Sequence, residues 1–149
     1  MECDNNCSCC ECGKDCLKAD VIDKLIDEAK AVLKNAYAPF SNFRVGAAIL
    51  TESGNIYRGC NVEDASFGGT ICAERVAATA SVAAEGYVRF KAIAVASDAE
   101  DPAPPCGICR QFLSQFSGPE VPVFIVSTKN SQIRMVSFGT LMPYTFTKF

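Results

Sequence analysis

The amino-acid sequence predicts one α/β domain in which a mixed β-sheet packs against helices. Three observations favour this class. The chain has 149 residues, which suffices for one domain with a buried core. Short apolar runs bounded by turn residues alternate with stretches of helical period. The first two runs are joined by a tight turn and the later ones by helices, an order that predicts antiparallel and parallel strand pairs in one sheet.

The first half of the domain predicts a helix followed by a β-hairpin. Apolar residues recur at helical spacing from Leu17, and this helix should end before Pro39 because the residue before a proline disfavours the helical conformation. Two apolar runs, Val45–Leu50 and Ile56–Gly59, flank the turn Ser53-Gly54-Asn55. Two strands around such a turn predict a hairpin.

The second half alternates helices and strands. An alanine-rich stretch and a later stretch with apolar residues at helical spacing predict two helices, and three apolar runs predict three strands. In chain order these are Cys72–Glu85 (helix), Ala92–Ala96 (strand), Cys109–Phe116 (helix), Val121–Ser127 (strand) and Ile133–Val136 (edge strand). Together with the hairpin they give five strands for one sheet.

Two residue counts restrict the chemistry. The chain has no histidine, which excludes the Ser-His-Asp triad, the Cys-His dyad and every metal site that uses imidazole. It has ten cysteines, so a soft-metal site must be built mainly from thiolates. The N-terminal residues lack the apolar stretch of a secretory signal, so we expect the cysteines to be metal ligands or free thiols in a reducing compartment. We expect a cytoplasmic protein, with the nucleus left open.

The charge distribution argues against a polynucleotide partner. Residues 1–16 carry four acidic side chains and one lysine, whereas the rest of the chain has 13 basic and 13 acidic side chains. A neutral domain lacks the clustered Lys and Arg that phosphate neutralisation needs. No apolar run approaches the ~20 residues that a membrane span requires, so we expect no membrane partner either.

The first 16 residues differ in composition from the rest and are predicted to be an extension to a catalytic domain at 17–149. They contain six cysteines, several in the spacing C-x-C-C-x-C. Such a segment could bind Zn²⁺ or Cu⁺, or oxidise readily. We expect a reduced, disordered and flexible extension, with an additional metal site as the alternative.

Three cysteines of the domain lie where helices are predicted to begin. Cys72 opens one helix, and 34 residues later Cys106 and Cys109 form a C-x-x-C pair at the start of another. A C-x-x-C pair brings two thiolates onto one metal ion. The unpaired N–H groups and the positive dipole end of a helix N-terminus stabilise thiolates. The two helix starts could therefore converge on one ion.

The number of ligands favours an open metal site. A structural zinc site closes with four protein ligands, whereas a catalytic site keeps three and leaves one position for water. Beyond Cys72, Cys106 and Cys109, the domain offers only Cys60 as a further thiol. A non-catalytic zinc module, in which Cys60 would be the fourth ligand, is the alternative.

Glu74 follows the first of these cysteines by two residues. A carboxylate beside a zinc-bound water can shuttle protons. The alternative is that an acid in the first helical turn merely interacts favourably with the helix dipole. The pattern C-x-E followed by P-C-x-x-C matches the signature of zinc-dependent nucleobase deaminases, with cysteine in place of histidine.

At these residues the chain resembles the small, homotetrameric class of cytidine deaminases. The resemblance covers about residues 17–146, and its motifs are the stretches 37–48, 59–65, 71–75 and 105–111. It implies a three-layer α/β/α fold with a five-stranded mixed sheet. It also implies zinc-dependent hydrolytic deamination of cytidine and 2′-deoxycytidine in pyrimidine salvage, with a small nucleoside as substrate.

The resemblance assigns the metal chemistry residue by residue. Cys72, Cys106 and Cys109 would hold one Zn²⁺ per subunit. Zinc-bound hydroxide would attack C4 of the pyrimidine, and Glu74 would shuttle the protons. Arg75 would hydrogen-bond to a thiolate sulfur and offset the negative charge of three thiolates on one divalent ion.

The resemblance also assigns the substrate contacts. Asn61 and Glu63 would bind the ribose, and Phe43, with Phe40 beside it, would form an aromatic wall for the base. The backbone N–H of Ala73 would bind the base carbonyl. A neighbouring subunit would contribute Ala65, Phe67 and Phe146. The family commonly has Tyr where this chain has Phe40 and Phe67, so a hydroxyl role is absent at both positions.

Two further alternatives stay open. A metal-storage or redox protein dominated by the N-terminal cysteines would leave Glu74, Asn61 and Glu63 unexplained. Within the enzyme class, the substrate could be another aminopyrimidine or a nucleoside antibiotic.

Overall fold

The computed structural model describes residues 17–148. In this part of the chain a five-stranded sheet has the order β2-β1-β3-β4-β5. Its elements are α1 (Ala19–Leu33), β1 (Val45–Thr51), β2 (Ile56–Cys60), a 3₁₀ turn (Phe67–Gly69), α2 (Ala73–Glu85), β3 (Phe90–Ser97), α3 (Gly107–Leu113), β4 (Pro122–Ser127), β5 (Ile133–Ser137) and α4 (Phe138–Leu141). The extension predicted at residues 1–16 lies outside the described residues.

The sheet is mixed, as predicted. β3 and β4 pair in parallel, and the other three neighbouring pairs are antiparallel. The helix α3 connects the two parallel strands, which is the crossover that parallel pairing requires. The predicted hairpin is present as β1 and β2, joined at Gly54, whose φ of +86° favours glycine.

Helix α1 covers one face of the sheet. Its apolar stripe buries Leu25, Ala29 and Leu33 against a face that includes Ala48 and Ala94. Small residues on the strands let the helix approach closely. The burial of apolar side chains from both the helix and the strands supplies the hydrophobic stabilisation of this layer.

The structure ends α1 at Leu33, a few residues before the end that the sequence predicts. The N–H groups of Asn35 and Ala36 donate to the carbonyls of Val32 and Leu33, three residues back, which tightens the last turn. Tyr37 then forms a bridge with Val62. Pairing with a distant segment therefore ends the helix before the proline does.

Helices α2 and α3 cover the opposite face, which gives the three layers of the predicted fold. Ala73 and Ala77 of α2 pack with Ile49, Ile93 and Leu113 in a second buried cluster. The alanines permit close contact between α2 and the sheet. This packing fixes the N-terminal ends of α2 and α3 beside the start of β1 and the end of β3, which are opposite each other in the sheet. The candidate site lies there.

The close approach of α2 to the sheet depends on Gly59. A Cβ at this position of β2 would overlap the backbone atoms Ala77 N and Ala73 O. We expect Gly59→Ala to lower the free energy of unfolding by about 1–3 kcal/mol or more, because the backbone of α2 must shift. Thermal or urea unfolding measures this change. Gly68→Ala, where a Cβ would meet open space, is the control and should change stability by less than about 0.5 kcal/mol; equal stability of the two variants would contradict this packing.

Two single-turn elements, the 3₁₀ turn and α4, are too short for periodicity to predict. Helix α3 ends at Leu113 rather than near Phe116, whose side chain instead stacks on Phe90 with ring centroids 4.9 Å apart. Within residues 17–148, each helix is too short or too polar to cross a lipid bilayer.

Candidate active site

The sulfur atoms of Cys72, Cys106 and Cys109 lie together, all within 4.8 Å of one another. The Cys72 and Cys106 sulfurs are 3.9 Å apart. Two thiolates on a tetrahedral zinc ion, each with a Zn–S distance near 2.3 Å, would be about 3.8 Å apart. The structure therefore brings the three predicted ligands to a spacing that suits one zinc ion.

Two helix starts position these sulfurs, as the sequence predicts. Cys72 and Cys106 are the N-cap residues of α2 and α3, with extended backbone angles. Cys109 lies in the first turn of α3 and is fully buried. N-cap side chains lie beside the unpaired N–H groups of the first turn, so both helix dipoles favour negative charge on the sulfur cluster.

The thiols of Cys72 and Cys109 lie close enough to change each other's pKa. A hydrogen bond from Cys109 lowers the pKa of Cys72 to about 5, and Arg75 adds to this effect. The same hydrogen bond to Cys72, together with burial, raises the pKa of Cys109. Metal binding deprotonates its thiol ligands, so a cation bound by this cluster would displace the protons of the thiols.

Arg75 carries the positive charge nearest the sulfurs. Its Nη2 lies 3.8 Å from the Cys72 sulfur and donates to the carbonyl of Thr70 at 3.3 Å. Its Nε is buried, with no hydrogen-bond partner among the described residues. The contact with Cys72 raises the pKa of the guanidinium, so Arg75 stays charged and offsets the thiolates.

Glu74 lies beside the sulfur cluster and is 4% exposed. Burial raises the pKa of its carboxyl to about 7, while a hydrogen bond with the Cys109 thiol acts in the opposite direction. Glu74 lies two residues after Cys72 in the first turn of α2, which places its carboxyl beside the cluster. A buried acid with a pKa near neutrality is a candidate for proton transfer.

A cavity of about 500 Å³ opens onto the cluster, within the size range of small-molecule sites. Most of the predicted site residues line it, among them two of the cysteines and the carboxylate. The predicted residues on its wall are Phe40, Phe43, Asn61, Glu63, Phe67, Cys72, Ala73, Glu74 and Cys106. Phe67 is 77% exposed and packs edge-on against Phe40 at this chain's own cavity.

Ala65 and Phe146 do not line the cavity. The carbonyl of Phe146 accepts a hydrogen bond from Gln111 at 2.7 Å. The sequence predicts that both residues, with Phe67, reach a neighbouring subunit's site, and this stays a prediction.

Asn61 binds the segment that leads into β1 and carries the aromatic wall. Its Oδ1 accepts from the N–H of Val45 at 2.9 Å, and its Nδ2 donates to the carbonyl of Phe43 at 2.8 Å. Glu63 accepts hydrogen bonds from the backbone N–H groups of Phe40 and Ser41. Both predicted ribose contacts therefore also hold the segment around Phe43 in place.

Sequence reasoning missed several residues on the cavity wall. Those with polar atoms or a restricted backbone are Ser41, Thr70, Ser97 and Pro104. Ser97 lies at the end of β3, and its buried hydroxyl has no hydrogen-bond partner among the described residues. A hydroxyl directly after an apolar strand is the signal that could have marked it, since strand ends next to helix starts commonly bear site residues.

Cys60 is not part of the sulfur cluster. It lies at the end of β2, opposite Gly46 of β1. The alternative of a zinc module with four protein thiolates needs Cys60 as a ligand, and the described residues do not place it there.

Comparison with known proteins agrees with this geometry. The profile of the family described as the cytidine and deoxycytidylate deaminase zinc-binding region matches residues 19–125. The chain belongs to the cytidine deaminase family. A cytidine deaminase of Sporosarcina psychrophila is 42% identical over 127 residues, which cover 85% of this chain and 92% of that protein. A probable cytidine deaminase of Dictyostelium discoideum is 49% identical over 106 residues, 70% of this chain and 71% of that protein.

Solved structures of this hydrolytic enzyme family share the fold. The cytidine deaminase of Burkholderia pseudomallei superimposes with a TM-score of 0.77 at 44% identity, covering 83% of this chain and 98% of that one. The enzyme of Mycobacterium tuberculosis gives a TM-score of 0.74 at 34% identity, covering 85% and 98%.

The donor set fits the zinc ion of the cytidine deaminase family. Three thiols at ligand spacing, a neighbouring guanidinium and an adjacent cavity suit a soft divalent ion with one position left for a non-protein ligand. Zinc is therefore the cofactor of this chain.

Proposed function

We propose that this protein catalyses the hydrolytic deamination of cytidine and 2′-deoxycytidine to uridine and 2′-deoxyuridine with release of ammonia. The observation that carries this proposal is the buried carboxyl of Glu74, which lies beside a cluster of three thiols and on the wall of a cavity of about 500 Å³. The reaction would serve pyrimidine salvage in the cytoplasm.

Cys72, Cys106 and Cys109 would hold the zinc ion. When bound, zinc supplies the Lewis acidity that makes water a nucleophile at neutral pH. Glu74 accepts the proton that this water loses, returns a proton to N3 of the pyrimidine, and then assists protonation of the leaving amine. Because its carboxyl is buried beside the three thiols, Glu74 is placed both to accept and to return a proton.

Recognition of the substrate combines contacts to the base with contacts to the sugar. The N–H of Ala73, in the first turn of α2, has no acceptor within its helix and binds the base carbonyl. Phe43, with Phe40, forms an aromatic wall for the base. Asn61 and Glu63 lie on the same wall, and an amide with a carboxylate can both donate to and accept from sugar hydroxyls.

The charges in the cavity favour a nucleoside over a nucleotide. Two carboxylates, Glu63 and Glu74, line it, and no Lys or Arg does so among the described residues. A 5′-phosphate would therefore meet negative charge without a cation to pair with. The proposed substrates are small and uncharged, and a nucleic acid polymer or a membrane is not proposed as a partner.

A nucleoside panel tests the proposed reaction. Zinc-loaded protein is mixed with cytidine, 2′-deoxycytidine and deoxycytidylate, and product and ammonia are measured. We expect turnover of both nucleosides and at least tenfold lower kcat/KM for deoxycytidylate, since a phosphate placed near like charge with no cation to pair with costs more than about 1.4 kcal/mol. Absence of turnover with every cytosine nucleoside would end the proposal.

We also propose a homotetramer in which Ala65, Phe67 and Phe146 contribute to a neighbouring subunit's site. The exposure of several aromatic side chains supports this, because exposed apolar groups gathered near a cavity are typical of subunit interfaces. Tyr37, Phe40 and Phe67 are all exposed in the single chain. Sedimentation equilibrium should give the mass of four chains; a monomer at micromolar concentration would contradict the proposal.

A further inference from the structure

Ser41 connects the two kinds of substrate contact in the cavity. Its hydroxyl donates a hydrogen bond to Oε1 of Glu63 and accepts one from the N–H of Phe43 at 3.0 Å. Glu63 is the proposed ribose contact, and Phe43 belongs to the proposed aromatic wall. Ser41 itself is exposed and lies on the cavity wall.

The carboxylate of Glu63 is held from one side by a single turn of chain. Its Oε2 accepts from the N–H of Phe40 at 3.3 Å and from that of Ser41 at 3.1 Å. The hydroxyl of Ser41 binds the other oxygen, Oε1. The turn is maintained by Asn42, whose φ of +56° lies in the left-handed region that asparagine tolerates. Both carboxylate oxygens thus have fixed partners.

The hydroxyl of Ser41 has a defined orientation. A serine hydroxyl has one hydrogen to donate and two lone pairs to accept with. Because the N–H of Phe43 occupies one lone pair, the hydrogen is directed to Glu63. The terminal torsion of a glutamate is otherwise broad, so this bond sets the rotation of the carboxylate plane and leaves defined lone pairs for a sugar hydroxyl.

We propose that Ser41 is a positioning residue that orients Glu63 for the ribose hydroxyls of the substrate. This inference rests on the proposed deamination of nucleosides and extends it to a residue that contacts the sugar only through Glu63. Without the hydroxyl of Ser41 the carboxylate keeps its two backbone donors but rotates more freely. Substrate affinity should then fall because the sugar is bound less well, while the reaction at C4 keeps its rate.

The test compares Ser41→Ala with the wild type on two substrates. With cytidine, we expect Ser41→Ala to raise KM roughly five- to tenfold with little change in kcat. This is less than the full value of a hydrogen bond to a charged group, because Glu63 keeps its two backbone donors. On this proposal Glu63 binds the 2′,3′ edge of the sugar. 2′,3′-Dideoxycytidine lacks both of those hydroxyls and keeps only the 5′-hydroxyl, so the two proteins should have nearly the same kcat/KM with it. Ser41→Thr, which retains a hydroxyl, should have a KM close to that of the wild type.

Ser53→Ala is the matched control. Ser53 also acts on a carboxylate, since it lowers the pKa of Glu85, but it lies in the turn between β1 and β2, outside the cavity. Ser53→Ala should have the wild-type KM and kcat with both substrates. Equal losses on cytidine and 2′,3′-dideoxycytidine in Ser41→Ala, or no loss on cytidine, would overturn the inference. Failure of the wild type to deaminate cytidine would instead overturn the proposed function, so the two failures are distinguishable.

Discussion

Glu74→Gln should lower the kcat for cytidine by about 10²–10⁴-fold, the range expected when one general acid–base is removed. The lower end would require that another group partly replaces the carboxyl. Because Glu74 would act in several proton transfers, we expect the upper end. Glutamine has nearly the same shape and can neither accept nor return a proton in this role. Steady-state rates of uridine formation measure the effect.

The zinc content separates a catalytic role for Glu74 from a structural one. Glu74 is not among the sulfur ligands, so Glu74→Gln should bind as much zinc as the wild type and unfold at a similar temperature. Glu52→Gln is the matched control, since Glu52 is exposed and pairs only loosely with Arg89 at 3.7 Å; it should keep full activity. Near-normal turnover by Glu74→Gln would remove Glu74 from the proposed mechanism.

Cys109→Ser should have the second large effect, on metal binding and stability together. Cys109 is fully buried in the first turn of α3, and a serine hydroxyl is a much poorer ligand for zinc than a thiolate. We expect most of the zinc of the domain to be lost, with at least 10³-fold lower activity. Because metal binding contributes directly to the folded state, the melting temperature should also fall and should no longer respond to a chelator.

The other cysteines complicate this measurement and also supply its control. Zinc is best counted in a chain whose six cysteines at residues 1–16 are all changed to serine, with and without Cys109→Ser. In the same background Cys60→Ser should retain one zinc per chain and full activity, because Cys60 is not in the sulfur cluster. Release of zinc by Cys60→Ser, or its retention by Cys109→Ser, would show that the ligand set is wrong.

The metal cluster could be predicted from the sequence because its signals are local. Cys72, Glu74 and Arg75 lie within four residues, and Cys106 and Cys109 lie within another four. The start of a helix fixes where each of these side chains lies relative to the first turn. The order of apolar runs was likewise enough for the mixed sheet, since a hairpin and a helical crossover leave few topologies.

The rest of the cavity could not be predicted, because it depends on contacts between distant segments. Ser41 and Glu63 are 22 residues apart, and their contact follows from the bridge that places Tyr37 beside Val62. Ser97 reaches the cavity only through the register that sets it opposite Val45. The early end of α1 has the same origin, since long-range pairing competes there with local helical preference.

The most direct test of the site is X-ray absorption at the zinc edge, on zinc-loaded protein in which the cysteines of residues 1–16 are serine. Three thiolates at Cys72, Cys106 and Cys109 predict three sulfur neighbours near 2.3 Å and one lighter neighbour, oxygen or nitrogen, near 2.0 Å. The position of that lighter neighbour is where a catalytic water belongs. Four sulfur neighbours would mean that the protein itself fills the metal's coordination, and they would contradict an open, catalytic site.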